Sequence, residues 1–177
     1  MDSHLTFKKI SQKVVYSGYR EILGKKFELP DGSIADYEII HSKVEVVTIV
    51  AFDENNSLIL VKQFRPGIEK VIIEFPGGGC FKNESLIDSA KRELLEETGY
   101  ITDDIIEVGS YHVDSVSDTL YHAFLAKNCK KISKQELDKT EFIEIVSMSQ
   151  LEYEQYFKEN RLSAINLLSY FLAKPYI

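Results

Sequence analysis

The sequence predicts an α+β fold, in which a mixed, mostly antiparallel β-sheet lies between helices as an α/β/α sandwich behind a short N-terminal β extension. Three observations predict it. Short β-rich runs punctuated by turn residues fill the first part of the chain, one amphipathic helix crosses the middle, and two helical stretches follow the last strand.

Residues 14–21, 25–29 and 35–41 read as short strands, with Pro30-Asp31-Gly32 as the turn between the last two. Their apolar content is too small for an independent core. The expected organisation is therefore an extension over residues 1–42, leaning on a main domain over residues 43–177 or on a second subunit. Residues 44–52, VEVVTIVAF, are β-branched and nearly all apolar, as in a buried strand. Asp53-Glu54-Asn55-Asn56 makes a polar turn, and residues 58–64 return as the partner strand. Gln63-Phe64-Arg65-Pro66-Gly67 is then expected to leave the sheet. Residues 71–75 form another short strand ending in Glu74-Phe75-Pro76-Gly77-Gly78, and the glycines at 77, 78 and 79 permit a tight turn and close approach to a ligand.

From Ser85 to Thr98 the spacing predicts one helix. Leu86, Ala90 and Leu94 recur at four-residue steps with Ile87 beside them, which gives an apolar stripe. Asn83 or Ser85 can cap its start, and Gly99 stands where a left-handed residue ends a helix. Residues 105–113 and 119–126 alternate as two further strands, residues 127–140 read as a mobile lysine-rich loop, and residues 141–146 as the final strand. Ser149 opens a helix to about residue 159, and residues 161–174 form the last one, with Leu162, Ile165, Leu168 and Leu172 on its buried side.

Composition narrows the function classes. A chain of 177 residues, 44% hydrophobic, with ten Phe and ten Tyr, can bury one real core. A formal charge of −7 without a basic patch argues against sequence-independent nucleic-acid binding, while leaving room for a small phosphorylated ligand. Cys80 and Cys129 have neither metal-ligand spacing nor disulfide density, which fits a reducing cytoplasm. The first residues, with Asp2, His4 and Lys8, hold no long apolar run, and no later segment reaches the ~20 apolar residues of a membrane span. His4, His41, His112 and His122 show no spacing for zinc or a catalytic dyad. The expected place is the cytoplasm, with neither nucleic acid nor membrane as partner.

The middle helix is acidic where acid is unwelcome. Glu93 and Glu97 are four residues apart and repel one another by roughly 0.2–0.5 kcal/mol. Glu96 and Glu97 also occupy the last turn, where the helix dipole favours cations. A solvated acidic face is one explanation. A divalent cation is the other, because a hard ion takes carboxylate oxygens and supplies the missing positive charge.

The full spacing resembles a known signature. Gly78, five residues, Glu84, seven residues, Arg92-Glu93-Leu94, one residue, Glu96-Glu97, one residue, Gly99 and Tyr100 is similar to the Nudix box of the Nudix hydrolases. Tyr100 is the one departure, at a position where that family usually has an aliphatic residue. The lead-in from Glu74 resembles the family's Glu-x-Pro-x-Gly element. Gln63-Phe64-Arg65 resembles the Gln-x-Arg element of the ADP-ribose and ADP-sugar branch, where the arginine contacts substrate; Arg65 also reads as a surface residue beside a turn.

The resemblance implies a hydrolase that uses Mg²⁺ or Mn²⁺ to cleave a diphosphate linked to another group. It implies a metal site of Glu93, Glu96, Glu97 and the carbonyl of Gly77, and a positioning pair of Glu84 and Arg92, for which an ordinary surface ion pair is the plainer alternative. The general base is expected before the last strand. Glu141 is the candidate, Lys139 stands where a second carboxylate would be, and Glu136 or Asp138 could substitute. Arg65, Glu74 and Tyr19 are candidate substrate contacts, with Tyr16 beside them. In that branch the N-terminal strands swap across a homodimer, which the extension here would permit. ADP-ribose, giving AMP and ribose 5-phosphate, is the favoured small-molecule substrate. GDP-mannose, another nucleoside diphosphate sugar, a dinucleoside polyphosphate, or a silent nucleotide-sensing role are the alternatives. Residues 114–118 lack the proline and glycine usual in ADP-ribose hydrolases, and Thr119 replaces a glutamate.

Overall fold

The computed structural model describes residues 3–160 and 163–177, and its contacts divide them into two units. Of the described residues, one unit holds 3–43 and 112–119, and the other holds 44–111, 120–160 and 163–177.

In the first unit, β1 (Lys8–Ser17), β2 (Glu21–Glu28) and β3 (Ile34–His41) form an antiparallel sheet in that order. Gly32, at φ +83°, sits in the β2–β3 turn where a side chain would be strained. The first strand begins six residues earlier than its sequence suggests, and Glu21 belongs to the second. Every side chain of β1 is exposed, so no in-and-out alternation marks it; backbone pairing from Lys8↔Glu28 to Ser17↔Glu21 defines it instead. Residues 112–119 join these strands through Ile40 N–H to Val116 O and Asp118 N–H to Ile40 O. Asp118 also takes the ring of His41 at 2.8 Å and the N–H of Ser42 at 3.1 Å.

The second unit carries a mixed sheet. Its strands are β4 (Val46–Asp53), β5 (Leu58–Arg65), β6 (Lys70–Glu74), β7 (Gly77–Gly79), β8 (Tyr100–Ile101), β9 (Ile105–Tyr111), β10 (Tyr121–Lys131) and β11 (Ile143–Met148). The order β11-β5-β4-β10-β8 forms the path, with β6 on β5, β7 on β4 and β9 on β10; β4 and β10 run parallel. Helices α1 (Leu86–Thr98), α2 (Gln150–Glu159) and α3 (Ala164–Ala173) cover it.

Successive residues of β4 serve opposite cores. Val47, Ile49 and Ala51 pack with Ala90 and Leu94 of α1, whereas Val50 and Phe52 pack with Tyr153 of α2 and Tyr170 and Ala173 of α3. Side chains that alternate across a strand, both sets apolar, require cover on both faces. The result is the α/β/α layering of an α+β fold. Helix α1 is capped by Ser85, whose side chain accepts the N–H of Asp88, and ended by Gly99 at φ +74°.

Several sequence expectations need correction. Arg65 does not leave the sheet, because Phe64 and Arg65 still pair with Val71 and Lys70 and the chain turns at residues 66–69. The three glycines form strand β7 on β4 rather than a loop. Ile87 is 41% exposed, so the α1 stripe is narrower than its sequence suggests. Strand β10 runs on to Lys131, where Lys130 and Lys131 pair with β8. The last strand starts at Ile143, leaving Glu141 in the preceding turn.

The rest of the supposed mobile loop is fastened. Ile132 and Glu136 donate their N–H groups to Gly99 O and Glu96 O, and thereby satisfy carbonyls at the end of α1. In α3 the buried face is Asn166, Ser169, Tyr170 and Ala173, not the line of Ile165, Leu168 and Leu172; Arg161 and Leu162 lie outside the described residues. Asn166 and Ser169 are buried there with one hydrogen bond each to a distant element, although the Asn166 Nδ2 is left without a partner. Asn166 Oδ1 accepts Phe75 N–H at 3.0 Å, and Ser169 Oγ meets Tyr111 Oη at 2.8 Å.

Candidate active site

The glycine strand sets the geometry. Gly77 passes so close to β4 that a Cβ would overlap Val47 O, and a Cβ on Gly78 would overlap the Glu93 carboxylate. These collisions differ in kind. At Gly77 the obstacle is backbone, whereas at Gly78 it is the end of a side chain that can move. Gly77→Ala should therefore cost about 2 kcal/mol or more in thermal unfolding. Gly78→Ala should cost less than about 1 kcal/mol but lower kcat roughly tenfold or more by displacing Glu93. Equal effects on melting and turnover in the two variants would contradict this assignment.

Arg92 ties that strand to the helix. Its Nε donates to Glu84 Oε1 at 3.0 Å, and its Nη2 donates to Glu84 Oε2 at 3.1 Å and to Gly79 O at 2.9 Å. Its Nη1 donates to Glu93 Oε1 at 2.8 Å and Glu96 Oε2 at 2.9 Å, and the guanidinium lies 4.1 Å from the Phe81 ring centroid. Glu84 also accepts the Phe81 N–H at 3.1 Å and the Ser89 hydroxyl at 2.6 Å. The Arg92 guanidinium is the first of the bonds that hold the Glu84 carboxyl down at about 2. The sequence spacing singled out Glu84 and Arg92 but not Ser89, which a hydroxyl one turn into a helix does not announce.

Glu97 is the most buried of the α1 carboxylates, 5% exposed, and its Oε2 accepts the Gly77 N–H at 2.9 Å. Burial pushes its carboxyl up to about 8, against the Gly77 bond, with the charges of Glu93 and Glu141 adding to the rise. Glu93 shifts upward too, first through burial, although Arg92 opposes it. Glu96 lies further out, its side chain 39% exposed.

Arg65 sits near this group. It pairs through Nε with the buried Glu74 and lowers the Glu97 carboxyl by its charge. Glu141 is held in a short turn, its Oε2 accepting Asp138 N–H at 3.0 Å and its own N–H donating to Asp138 O at 2.9 Å. Glu136, Asp138 and Lys139 are exposed on the same segment. Tyr19, 99% exposed, and Tyr16, 61% exposed, belong to the N-terminal unit.

The donor set suits a hard divalent cation. Burial disfavours ionisation of buried Glu97 and half-buried Glu93, the charge of Glu93 adds to the rise at Glu97, and nearby positive charge would relieve both. Among the described residues, no three Asp, Glu, His or Cys side chains converge as a ready-made cage. The reason is visible in the bonds: Arg92 holds Glu93 and Glu96, and the Gly77 N–H holds Glu97. Each of these bonds takes one oxygen of its carboxylate. The thiols of Cys80 and Cys129 are free and buried, and no helix among the described residues is long and apolar enough to cross a membrane.

Residues 42–167 match the model of the NUDIX domain. The ADP-ribose pyrophosphatase of Bacillus subtilis (strain 168) is 32% identical over 145 residues, covering 80% of this chain and 78% of that protein. The methanol dehydrogenase activator of Bacillus methanolicus is 34% identical over 137 residues, covering 76% of this chain and 74% of that protein. A solved crystal structure of an ADP compounds hydrolase superposes with a TM-score of 0.84 at 22% identity, over 97% of this chain and 95% of that one, a likeness of fold.

Proposed function

Because the chain belongs to the NUDIX family and is a Nudix hydrolase, we propose that it cleaves the diphosphate of a nucleoside diphosphate sugar, with ADP-ribose, giving AMP and ribose 5-phosphate, as the favoured substrate. The observation that carries this reading is the packing of half-buried Glu93 and buried Glu97 against the glycine strand, beside a cationic Arg65. The likeness to an ADP-ribose pyrophosphatase supports the choice of substrate.

Glu93, Glu96, Glu97 and the Gly77 carbonyl would hold Mg²⁺ or Mn²⁺. When bound, such an ion supplies positive charge against the pyrophosphate oxygens and lowers the pKa of a water. The chain's own residues do the rest. Arg92 and Glu84 hold the glycine strand on α1. Arg65, oriented by buried Glu74, offers its remaining N–H groups to a phosphate oxygen. Glu141 accepts the proton of the attacking water. Tyr19 and Tyr16 offer exposed rings for stacking on a base in the working homodimer, which is our reading of the N-terminal strands.

A second reading keeps the chemistry and changes the sugar or base. It draws on Thr119, buried and hydrogen-bonded through its hydroxyl to Ser117 at 2.9 Å, where ADP-ribose hydrolases usually carry a glutamate. The deciding experiment is chromatographic. ADP-ribose, GDP-mannose, other nucleoside diphosphate sugars and a dinucleoside polyphosphate are each incubated with Mg²⁺, with Mn²⁺ and with chelator. AMP and ribose 5-phosphate from ADP-ribose at the highest kcat/KM supports the first reading; a tenfold preference for another member replaces it. No turnover of any member would leave a nucleotide sensor.

A further inference from the structure

Gln135 is a polar side chain that the proposed chemistry leaves unused, yet its amide makes two bonds that nothing else in the segment duplicates. Its Nε2 donates to Glu97 O at 2.6 Å and to Ile143 O at 3.2 Å. The first acceptor is a last-turn carbonyl of α1, and the second is the first residue of β11. One amide thus bridges the helix that carries Glu93, Glu96 and Glu97 to the strand that follows Glu141. Beside it, Glu136 N–H donates to Glu96 O at 2.8 Å, so the segment is anchored at adjacent carbonyls of the helix end. Beyond that anchor the chain makes the Asp138–Glu141 turn, closed by Glu141 N–H on Asp138 O at 2.9 Å and by Asp138 N–H on Glu141 Oε2 at 3.0 Å, and Ile143, the second acceptor of Gln135, follows it by two residues.

We propose that Gln135 is a positioning residue for the hydrolysis: it pins the turn that carries Glu141 to the C-terminal end of α1, and so sets where the Glu141 carboxylate stands relative to Glu93 and Glu97. The bridge is directional. The amide nitrogen carries two N–H donors, one for each carbonyl oxygen, and a side chain without N–H removes both bonds. The contribution is to orientation rather than to binding, so the loss falls on kcat more than on KM. The proposal rests on the reading of Glu141 as the base.

The test is a double-mutant cycle with an exchange measurement beside it. Gln135→Met keeps length and loses both donors; Gln135→Ala is the second variant, and thermal melting verifies that each is folded. Gln135→Met is expected to lower kcat about tenfold on the best nucleoside diphosphate sugar with KM changed less than about twofold, and to have almost no further effect in a Glu141→Gln background. Amide exchange over residues 136–142 is expected to quicken in Gln135→Met while residues 86–95 stay protected.

Unchanged exchange over residues 136–142 in both folded Gln135 variants overturns the pinning itself, whatever the activity. Quickened exchange with unchanged kcat overturns the positioning role. An equal fall in kcat with and without Glu141→Gln shows that Gln135 does not act through Glu141. Full activity of Glu141→Gln alone removes the base assignment, a failure distinct from loss of the pin.

Discussion

Glu97→Gln is expected to lower kcat by about a thousandfold while the chelator-treated protein melts no lower than the parent. The two halves have one cause. Glu97 is buried beside Glu93 and Glu141, and burial holds its carboxyl at about 8 against an ordinary 4.5. Between pH 4.5 and about 8 the unfolded chain gives up a proton that the folded chain keeps. Rising pH therefore costs stability across that window; the penalty is absent below 4.5 and complete above about 8. Its full size is on the order of a few kcal/mol. Glutamine retains an oxygen for the Gly77 N–H and removes the charge, so the variant's melting curve in chelator should lose this part of its pH dependence. A variant that keeps more than about a tenth of the parent's kcat with Mg²⁺ would strip Glu97 of the assigned role. A melting temperature that falls at pH 8 would refute the electrostatic account.

Arg92→Ala should give the largest loss of stability. The Arg92 side chain is 19% exposed and lies among carboxylates that are themselves sheltered, Glu84 at 17% and Glu93 at 13%. Removing one partner of a largely buried ion pair costs about 3–5 kcal/mol, because the remaining charges keep their desolvation cost and lose their compensation. For a chain of this size that corresponds to a melting temperature lower by roughly 10 °C. The Gly79 carbonyl also loses its donor, so β7 is released from α1 and turnover should fall with stability. Arg92→Lys should recover less than half of the loss. An ammonium carries the charge but cannot span both Glu84 oxygens, Gly79 O, Glu93 and Glu96 from one planar group. Melting within about 2 °C of the parent for Arg92→Ala, or full recovery by lysine, would show that the network contributes little.

The relation between these two residues explains the conformation of the site. Arg92 neutralises Glu93 and Glu96 where they stand, while Glu97 has a single backbone N–H and no formal partner. Along the face of α1 that meets the glycine strand, compensation is therefore concentrated at Glu93, against Gly78, and the uncompensated negative charge at Glu97, against Gly77. In the metal site we propose, a cation would gain most at Glu97, where negative charge is least compensated.

What the sequence determined by itself is the local grammar. Ser85, Gly99 and the four-residue recurrence of Ala90 and Leu94 specify helix α1 almost to the residue, since capping and periodicity depend on neighbours within one or two turns. The turns at Gly32 and Asn56 were legible for the same reason, as was the doubly buried strand β4. The box spacing likewise brought forward Gly77, Glu84, Arg92, Glu93, Glu96 and Glu97 as a group.

Only the tertiary structure decided which of those carboxylates is sequestered, because exposure on a helix depends on what packs over it. Glu96 and Glu97 are adjacent in the chain, yet one is 39% exposed in its side chain and the other almost wholly buried. The glycines became a strand because β4 offered an edge to pair with, close enough at Gly77 to exclude a Cβ, a fact about a partner some thirty residues away in the sequence. The lysine-rich segment after β10 was docked by the carbonyls left unpaired at the end of α1, and polar composition gives no sign of such a dock. Helix α3 buries Asn166 and Ser169 in place of leucines because distant donors and acceptors were waiting for them. Local interactions are encoded by spacing, whereas desolvation and hydrogen-bond closure belong to surfaces that meet only after the chain has folded.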